Sequence, residues 1–136
     1  MTRAEQAQLA AVNAEVNAIP FNEVLGPGEP PDWWTDQPMA GNSWVCRDYV
    51  QLKADKLKAL GWPASALTTV LCWVEDPPGG YHAVLAVQLP NGDGGDPETT
   101  ILDSRVDAPY PMSAPPLAYR WDRRQIAGTT DFEALA

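Results

Sequence analysis

Three residues of this sequence have side chains suited to nucleophilic catalysis: Cys46, His82 and Asp103. A thiolate attacks carbonyl carbons, an imidazole takes the thiol proton and later gives it to a leaving amine, and a carboxylate fixes the imidazole tautomer. His82 is the single histidine of the chain, so any histidine chemistry passes through it. This combination favours a cysteine hydrolase that cleaves an amide bond through an acyl-enzyme.

Cys46 is predicted to lie in the first turn of a helix. Asn42 or Ser43 can cap that helix, and Gly61 provides a left-handed stop at its other end. Free backbone N–H groups and the positive end of the helix dipole stabilise a thiolate in the first turn. Cys72 lies within a predicted strand and is interpreted as a packing residue. Both thiols are expected to be free, because two cysteines and one histidine make neither a disulfide framework nor a four-ligand zinc site.

His82 and Asp103 are predicted to face each other across a β-hairpin. Alternating apolar residues predict strands over 81–89 and 99–103, and residues 91–94 between them give a turn signal. A hairpin symmetric about that turn sets the two side chains directly opposite, with Cβ atoms about 5 Å apart. Asp103 can then accept a hydrogen bond from the imidazole. Such a pair serves a structural role more often than a catalytic one.

The remaining pattern predicts an α+β fold. Apolar residues at helical spacing predict a first helix over 3–18 and a second helix up to Gly61. Strands are expected over 68–75, 81–89 and 99–103 and around 119–123, with N-terminal helices packed on a small antiparallel β-sheet. The apolar stripes of the two helices are Leu9, Val12, Val16 and Ile19, and Val45, Tyr49, Leu52, Leu57 and Leu60.

Length and charge limit the classes of protein. The chain has 136 residues, which suits a single domain over 1–136. Its net charge of −9 disfavours binding to nucleic acid or to an anionic membrane surface. No apolar run approaches the roughly 18 residues that a transmembrane helix needs. The N-terminus shows no secretion signal, so a cytoplasmic location as synthesised is expected.

An ordered set of motifs resembles the bacterial transglutaminase-like cysteine peptidases of LapG type. The likeness spans residues 12–126 and implies a transglutaminase-like, papain-like fold, with Cys46 as nucleophile, His82 as base and Asp103 as third member. The segments that carry it are Asn13 and Asn17, Asp32-Trp33-Trp34-Thr35, Cys46-Arg47-Asp48-Tyr49 with Lys53, Leu60-Gly61-Trp62-Pro63, His82-Ala83-Val84-Leu85, Leu102-Asp103 and Tyr119-Arg120-Trp121.

The residues flanking Cys46 depart from the family pattern. Members usually carry an acidic residue on each side of the cysteine, and some bind calcium through this cluster, whereas Val45 and Arg47 occupy those positions here. Asp48 is the one calcium candidate left there, so no cofactor is expected. A second group of oxygen ligands is more typical of a solvated Gly-rich turn than of a calcium site: Asn91, Asp93 and Asp96.

An oxyanion hole and a substrate groove are expected near Cys46. The backbone N–H of Cys46 is the first expected oxyanion donor, with Asn42 or Trp44 as a second. Trp34 and Trp44 are candidates for the groove, and packing of the surrounding loop against the core would explain these tryptophans equally well.

Four functions remain open at this point. The first is hydrolysis of a peptide or protein. The second is cleavage of peptidoglycan by a phage-encoded amidase or endopeptidase (an endolysin), which the small size and lack of a signal would suit. The third is acyl transfer to an amine, the transglutaminase reaction, because the same acyl-enzyme serves both outcomes. The fourth is a catalytically degenerate binding module, to which Val45 and Arg47 point.

Overall fold

A computed structural model describes residues 2–19, 43–75, 80–88, 98–129 and 131–135, without the side chains of 43–48 and 80–81. Two helices come first, and antiparallel strands follow. The elements are α1 (Arg3–Asn17), α2 (Ser43–Ala59), a short 3-10 helix (Ala64–Ala66), β1 (Leu67–Val74), β2 (Gly80–Val87), β3 (Thr100–Leu102), β4 (Tyr110–Pro111), β5 (Tyr119–Gln125) and β6 (Phe132–Ala134).

Local sequence signals fix the ends of the helices. Thr2 and Glu5 form a reciprocal capping box that starts α1. Gly61 ends α2 with a φ of +99°, and the N–H of Trp62 bonds the carbonyl of Leu57 at 3.0 Å, as in a Schellman motif. Both helices are therefore confirmed close to their predicted bounds.

Most described residues of the predicted apolar stripes are buried. Ile19 and Leu52 are half-buried, the side chain of Val45 is outside the described part of the structure, and there is one exposed exception. Leu9, Val12 and Val16 of α1 are buried, as are Tyr49 and Leu57 of α2. The exception is the last residue of the second stripe, Leu60, which is 54% exposed. It lies in the turn after Ala59, where the chain has left the helical path, so the helical spacing no longer places it on the buried face.

The six strands form one antiparallel sheet in the order β4-β3-β2-β1-β5-β6. Four of them, β1, β2, β3 and β5, match predicted strands. The two outer strands were not predicted, because β4 has two residues inside a proline-bearing loop and β6 has three at the end of the chain. The α+β prediction of N-terminal helices on an antiparallel sheet is confirmed.

The central strands of the sheet are buried on both faces. One face packs against α1 and α2, and the core there includes Leu9, Leu57, Leu71, Leu85 and Leu102. The opposite face carries a second apolar cluster, which includes Val70, Val84, Ala86, Ile101 and Tyr110. Polar side chains on either face of the central strands therefore need partners within the protein.

A β-bulge determines the face that the first half of β5 presents. Leu71 pairs with Arg123, but the next residue of β1, Cys72, pairs with Trp121. This one-residue shift turns Tyr119 and Trp121 to the face that carries Cys72, because cross-strand partners share a face. Both aromatic residues belong to the second apolar cluster.

The sequence also predicts a proline-rich connection over 20–41 and a turn over 77–80. That connection, residues 77–79 of that turn and the turn over 91–94 lie outside the described residues. In the part of the chain that is described, no helix has the length and apolar character needed to cross a membrane.

Candidate active site

His82 and Asp103 are hydrogen-bonded, although not in the predicted register. Leu85 pairs with Leu102, and continuing this register places Asp103 opposite Val84 rather than His82. The prediction of a direct cross-strand pair is therefore wrong by two residues. A two-residue shift leaves Asp103 on the same face, since side chains alternate with a period of two. Its Oδ1 atom still lies 2.8 Å from Nε2 of His82.

The His82–Asp103 pair is removed from water. His82 is 2% exposed and Asp103 is 0% exposed. Burial by itself raises the pKa of Asp103, but the hydrogen bond and charge of His82 and the bonds from Arg105 and Tyr110 lower it, to about 2. At neutral pH the carboxylate is therefore an ionised acceptor, so the imidazole proton lies on Nε2. Nδ1 is then the nitrogen that accepts a proton from a nucleophile.

Four donors surround the carboxylate of Asp103. Besides His82, the backbone N–H of Arg105 donates to Oδ1 at 2.9 Å. The hydroxyls of Tyr110 and Tyr119 donate to Oδ2 at 2.7 Å and 2.8 Å. An ionised carboxylate has about four lone-pair positions, and these four donors suffice to fill them. The buried charge is thus compensated by hydrogen bonds on both oxygens.

Sequence reasoning missed the two tyrosines as partners of Asp103. Tyr110 falls in residues 106–118, which the sequence predicts to be a proline-bearing loop. Tyr119 falls at the start of a predicted strand and in a motif of the family resemblance, and no contact is predicted for either residue. Burial, followed by the nearby charge of Asp103, raises the pKa of both phenols above the ordinary value. They therefore stay protonated and act as donors. An aromatic ring within that loop was the one available signal, since such a ring tends to be buried.

Two asparagines of α1 hold the backbone that follows β3. Asn17 Nδ2 donates to the carbonyl of Asp103 at 2.9 Å, and Asn13 Nδ2 donates to the carbonyls of Val106 and Asp107 at 3.0 Å and 2.9 Å. The spacing of four residues places both side chains on one face of α1. The first helix therefore fixes the position of the Asp103 main chain.

The two cysteines differ in their placement. Cys46 is the fourth residue of α2 and so lies in its first turn, as predicted. Its side chain is outside the described part of the structure, so contact between its thiol and His82 stays a prediction. Cys72 is 0% exposed in β1, directly across from His82 in the β1–β2 pairing. Its burial agrees with the interpretation as a packing residue.

The other predicted site residues cannot be placed. Trp34 and Asn42 lie outside the described residues, as do the side chains of Trp44 and Asp48. The turn candidates for calcium are outside as well: Asn91, Asp93 and Asp96. Within the ranges that the structure describes, no three His, Cys, Asp or Glu side chains come together in a group that would hold a metal ion.

A family model described as bacterial transglutaminase-like cysteine proteinase, BTLCP, matches residues 1–131. Comparison with curated protein sequences gives no match.

Solved structures of Legionella pneumophila LapG share the fold. A calcium-bound LapG matches with a TM-score of 0.58 and 19% identity, over 89% of this chain and 65% of that one. A second LapG structure matches with a TM-score of 0.57 and 22% identity, over 89% of this chain and 63% of that one. An EGTA-treated LapG matches with a TM-score of 0.56 and 22% identity, over 88% of this chain and 62% of that one. The present chain thus spans just under two thirds of the LapG chains.

Proposed function

This chain belongs to the bacterial transglutaminase-like cysteine proteinase family, and from that membership we propose that it is a cysteine peptidase using Cys46, His82 and Asp103. The observation that carries the proposal is the hydrogen bond of 2.8 Å between Nε2 of His82 and the buried, ionised carboxylate of Asp103. Because that bond holds the imidazole proton on Nε2, Nδ1 is the nitrogen that can accept a proton. It is the arrangement that a thiol nucleophile requires of its base.

The proposed reaction proceeds in two halves. The thiol of Cys46 gives its proton to Nδ1 of His82, and the thiolate adds to the carbonyl carbon of the scissile amide. Collapse of the tetrahedral intermediate breaks the C–N bond, and His82 delivers the proton to the leaving amine. Water then attacks the thioester with His82 as general base, which releases the acid and restores the thiol. Asp103 stabilises the imidazolium in each half.

The location of Cys46 in α2 supports its role as nucleophile. The first-turn N–H groups of an α-helix have no acceptor within the helix, and the helix dipole is positive there. Both effects favour a thiolate over a thiol, and the thiolate is the reactive species. The same N–H groups are suited to the oxyanion, which is why we assign the backbone N–H of Cys46, with Asn42 or Trp44, to that hole.

The proposal is tested by the pH dependence of Cys46 alkylation, read by mass spectrometry on the wild type and on His82→Ala. We expect Cys46 to react rapidly well below the ordinary thiol pKa of about 8.5 and to slow markedly without the imidazole. Cys72 serves as an internal control, because it is 0% exposed and should react slowly in both proteins. Equal, slow labelling of both cysteines with no effect of His82→Ala would instead favour a binding module.

We propose a peptide or protein substrate, because the family is one of proteinases. An acyl-enzyme can also be resolved by an amine, and a cell-wall peptide is chemically an amide substrate too. One assay separates these alternatives: the enzyme is given a peptide library, a labelled amine with a glutamine donor, and purified peptidoglycan in parallel. Release of new peptide termini in the first arm alone would support the proposal.

The residues next to Cys46 in the sequence offer few ligands for calcium. A calcium ion takes 6–8 oxygen ligands, mostly from carboxylates and carbonyls. Here Val45 and Arg47 flank the cysteine, and Asp48 is the one carboxylate within residues 45–48. The side chains of Val45 and Arg47 supply no oxygen ligand, and the positive charge of Arg47 repels a calcium ion. We therefore propose that this chain acts without calcium.

Removal of calcium is accordingly expected to leave peptidase activity unchanged. The measurement compares rates after EGTA treatment with rates in added calcium, with Asp48→Asn as a matched variant. A loss of activity in EGTA that calcium restores in the wild type, but not in Asp48→Asn, would show that Asp48 holds a required ion.

A further inference from the structure

The two hydroxyls on Oδ2 of Asp103 come from elements at different places in the sheet. Tyr110 lies on β4, beyond β3, and Tyr119 lies on β5, beyond β1. The carboxylate is thus held between an edge strand and a strand on the far side of β1. Tyr119 also lies 5.6 Å from the His82 ring, centroid to centroid, with its plane tilted by 50°. Both hydroxyls donate to Asp103, so their hydrogen bonds act on His82 through that carboxylate.

The bulge in β5 places Tyr119 on this face. In the register before the bulge, Tyr119 would point to the face that α1 and α2 cover. A bulge interrupts a ladder and leaves one residue unpaired, so an irregularity that brings a donor to a buried carboxylate has an evident use. Trp121 is turned to the same face and contacts Tyr119 edge-on at 5.7 Å, which supports the ring.

We propose that Tyr110 and Tyr119 are positioning residues. Their hydroxyls hold the carboxylate of Asp103 against His82 and lower the basicity of that carboxylate. The inference rests on the proposed function, in which His82 must both take up and release a proton. A hydrogen bond from an O–H group disperses the negative charge of a carboxylate. The two tyrosines therefore limit how tightly Asp103 holds the imidazolium, and they let His82 return its proton to the leaving amine.

Other titratable groups lie near the His82–Asp103 pair, and a test must keep them the same in every variant that it compares. Cys72 faces His82 from β1, and the guanidinium of Arg105 lies 5.7 Å from the Tyr119 ring. Cys46 is the remaining group that the mechanism brings to His82. Replacing Cys46 by alanine removes the thiol titration, so the imidazole can be followed alone.

The experiment is an NMR titration of the His82 ring in the Cys46→Ala background. Because His82 is the single histidine, its ring signals need no assignment. Tyr110→Phe, Tyr119→Phe and the double variant each remove a donor and keep the ring. We expect the midpoint of the titration to rise in each single variant, and by about one pH unit in the double variant. In the protein with Cys46 intact, kcat should fall about 100-fold in the double variant, with KM little changed.

Tyr49→Phe is the matched control. Its hydroxyl donates to the backbone carbonyl of Ile19 rather than to Asp103. The variant should lose stability as the others do, and it should leave the His82 midpoint and the kcat/KM pH profile where they are. A purely structural role for Tyr110 and Tyr119 predicts the same pattern for all the tyrosine variants.

The outcomes separate the two proposals. An unchanged or lowered His82 midpoint in the single variants would overturn the positioning role, whatever the activity shows. A raised midpoint supports it and needs no turnover to be observed. Slow, His82-independent alkylation of Cys46 beside a raised midpoint would overturn the proposed peptidase function alone. Should the double variant fail to fold, the two single variants still decide the question.

Discussion

Replacing Cys46 by alanine is expected to lower peptidase activity by about 10⁴-fold or more, to the level of the reaction without the nucleophile. No acyl-enzyme can form without the thiolate, and His82 has then no proton to accept. Alanine is the best helix-forming residue, so α2 should keep its first turn. The measurement is kcat/KM on a peptide substrate, with the far-UV circular dichroism spectrum and thermal midpoint recorded beside it.

Cys72→Ala provides the comparison for that variant. It also removes one thiol, but from a residue that is 0% exposed within β1 and out of reach of a substrate. We expect it to lose some stability through a small cavity and to keep its activity within about tenfold of the wild type. If Cys46→Ala retained activity and Cys72→Ala lost it, the assignment of the nucleophile would be wrong.

The fold follows from local signals wherever those signals are strong. Thr2 with Glu5 starts α1 through a capping box, and Gly61 ends α2, of which the glycine stop was predicted. The central strands are long enough to show their pattern. Strand β4 has two residues, Tyr110 and Pro111, which is too short for any periodicity. Its existence depends on tertiary pairing with β3, and such pairing cannot be read from neighbouring residues.

The His82–Asp103 hydrogen bond shows how part of a candidate site can be predicted from alternation. The register expected for His82 and Asp103 is wrong by two residues, yet the bond forms because the error is an even number. A shift of one residue would have moved Asp103 to the other face and separated the pair. Face is thus predictable from sequence here, whereas register depends on the turn over 91–94.

The tyrosine contacts were beyond sequence reasoning for a different reason. Tyr119 reaches Asp103 because a single extra residue in β5 inverts the faces of the strand, and a bulge of this kind leaves no alternation signal. Tyr110 reaches it from the separate edge strand β4. Both contacts join residues that are distant along the sheet, so they arise from the assembled sheet.

Replacing Asp103 by alanine is expected to lower the free energy of unfolding by about 3–5 kcal/mol and to abolish activity. The loss of stability has a defined cause. Four donors, from His82, Arg105, Tyr110 and Tyr119, would lose their acceptor at a site that excludes water. A buried donor without an acceptor costs about 1–3 kcal/mol, and partial rearrangement would reduce the sum. Denaturant unfolding of the variant and the wild type measures the difference.

Asp103→Asn separates the structural role of Asp103 from its electrostatic role. Its amide oxygen can still accept from His82 and from the Arg105 N–H, while its amino group can donate to the two tyrosine hydroxyls, since a hydroxyl both donates and accepts. Most of the stability should therefore remain at neutral pH. The negative charge that stabilises the imidazolium is gone, so kcat should fall far more than stability. Equal losses of stability in the asparagine and alanine variants would contradict this account.

The dependence of stability on pH also separates the structural role of Asp103 from its electrostatic role. The folded pKa of Asp103 is about 2, against an ordinary value of 3.8, so the folded state binds this proton less readily than the unfolded state. The resulting stabilisation, on the order of 2 kcal/mol, is present above pH 4 and disappears as the pH falls toward 2. Asp103→Asn should lack this component, because its amide does not titrate. The difference in unfolding free energy between wild type and Asp103→Asn is therefore expected to shrink between pH 4 and pH 2, and a constant difference would show that the carboxylate is not held ionised by its four donors.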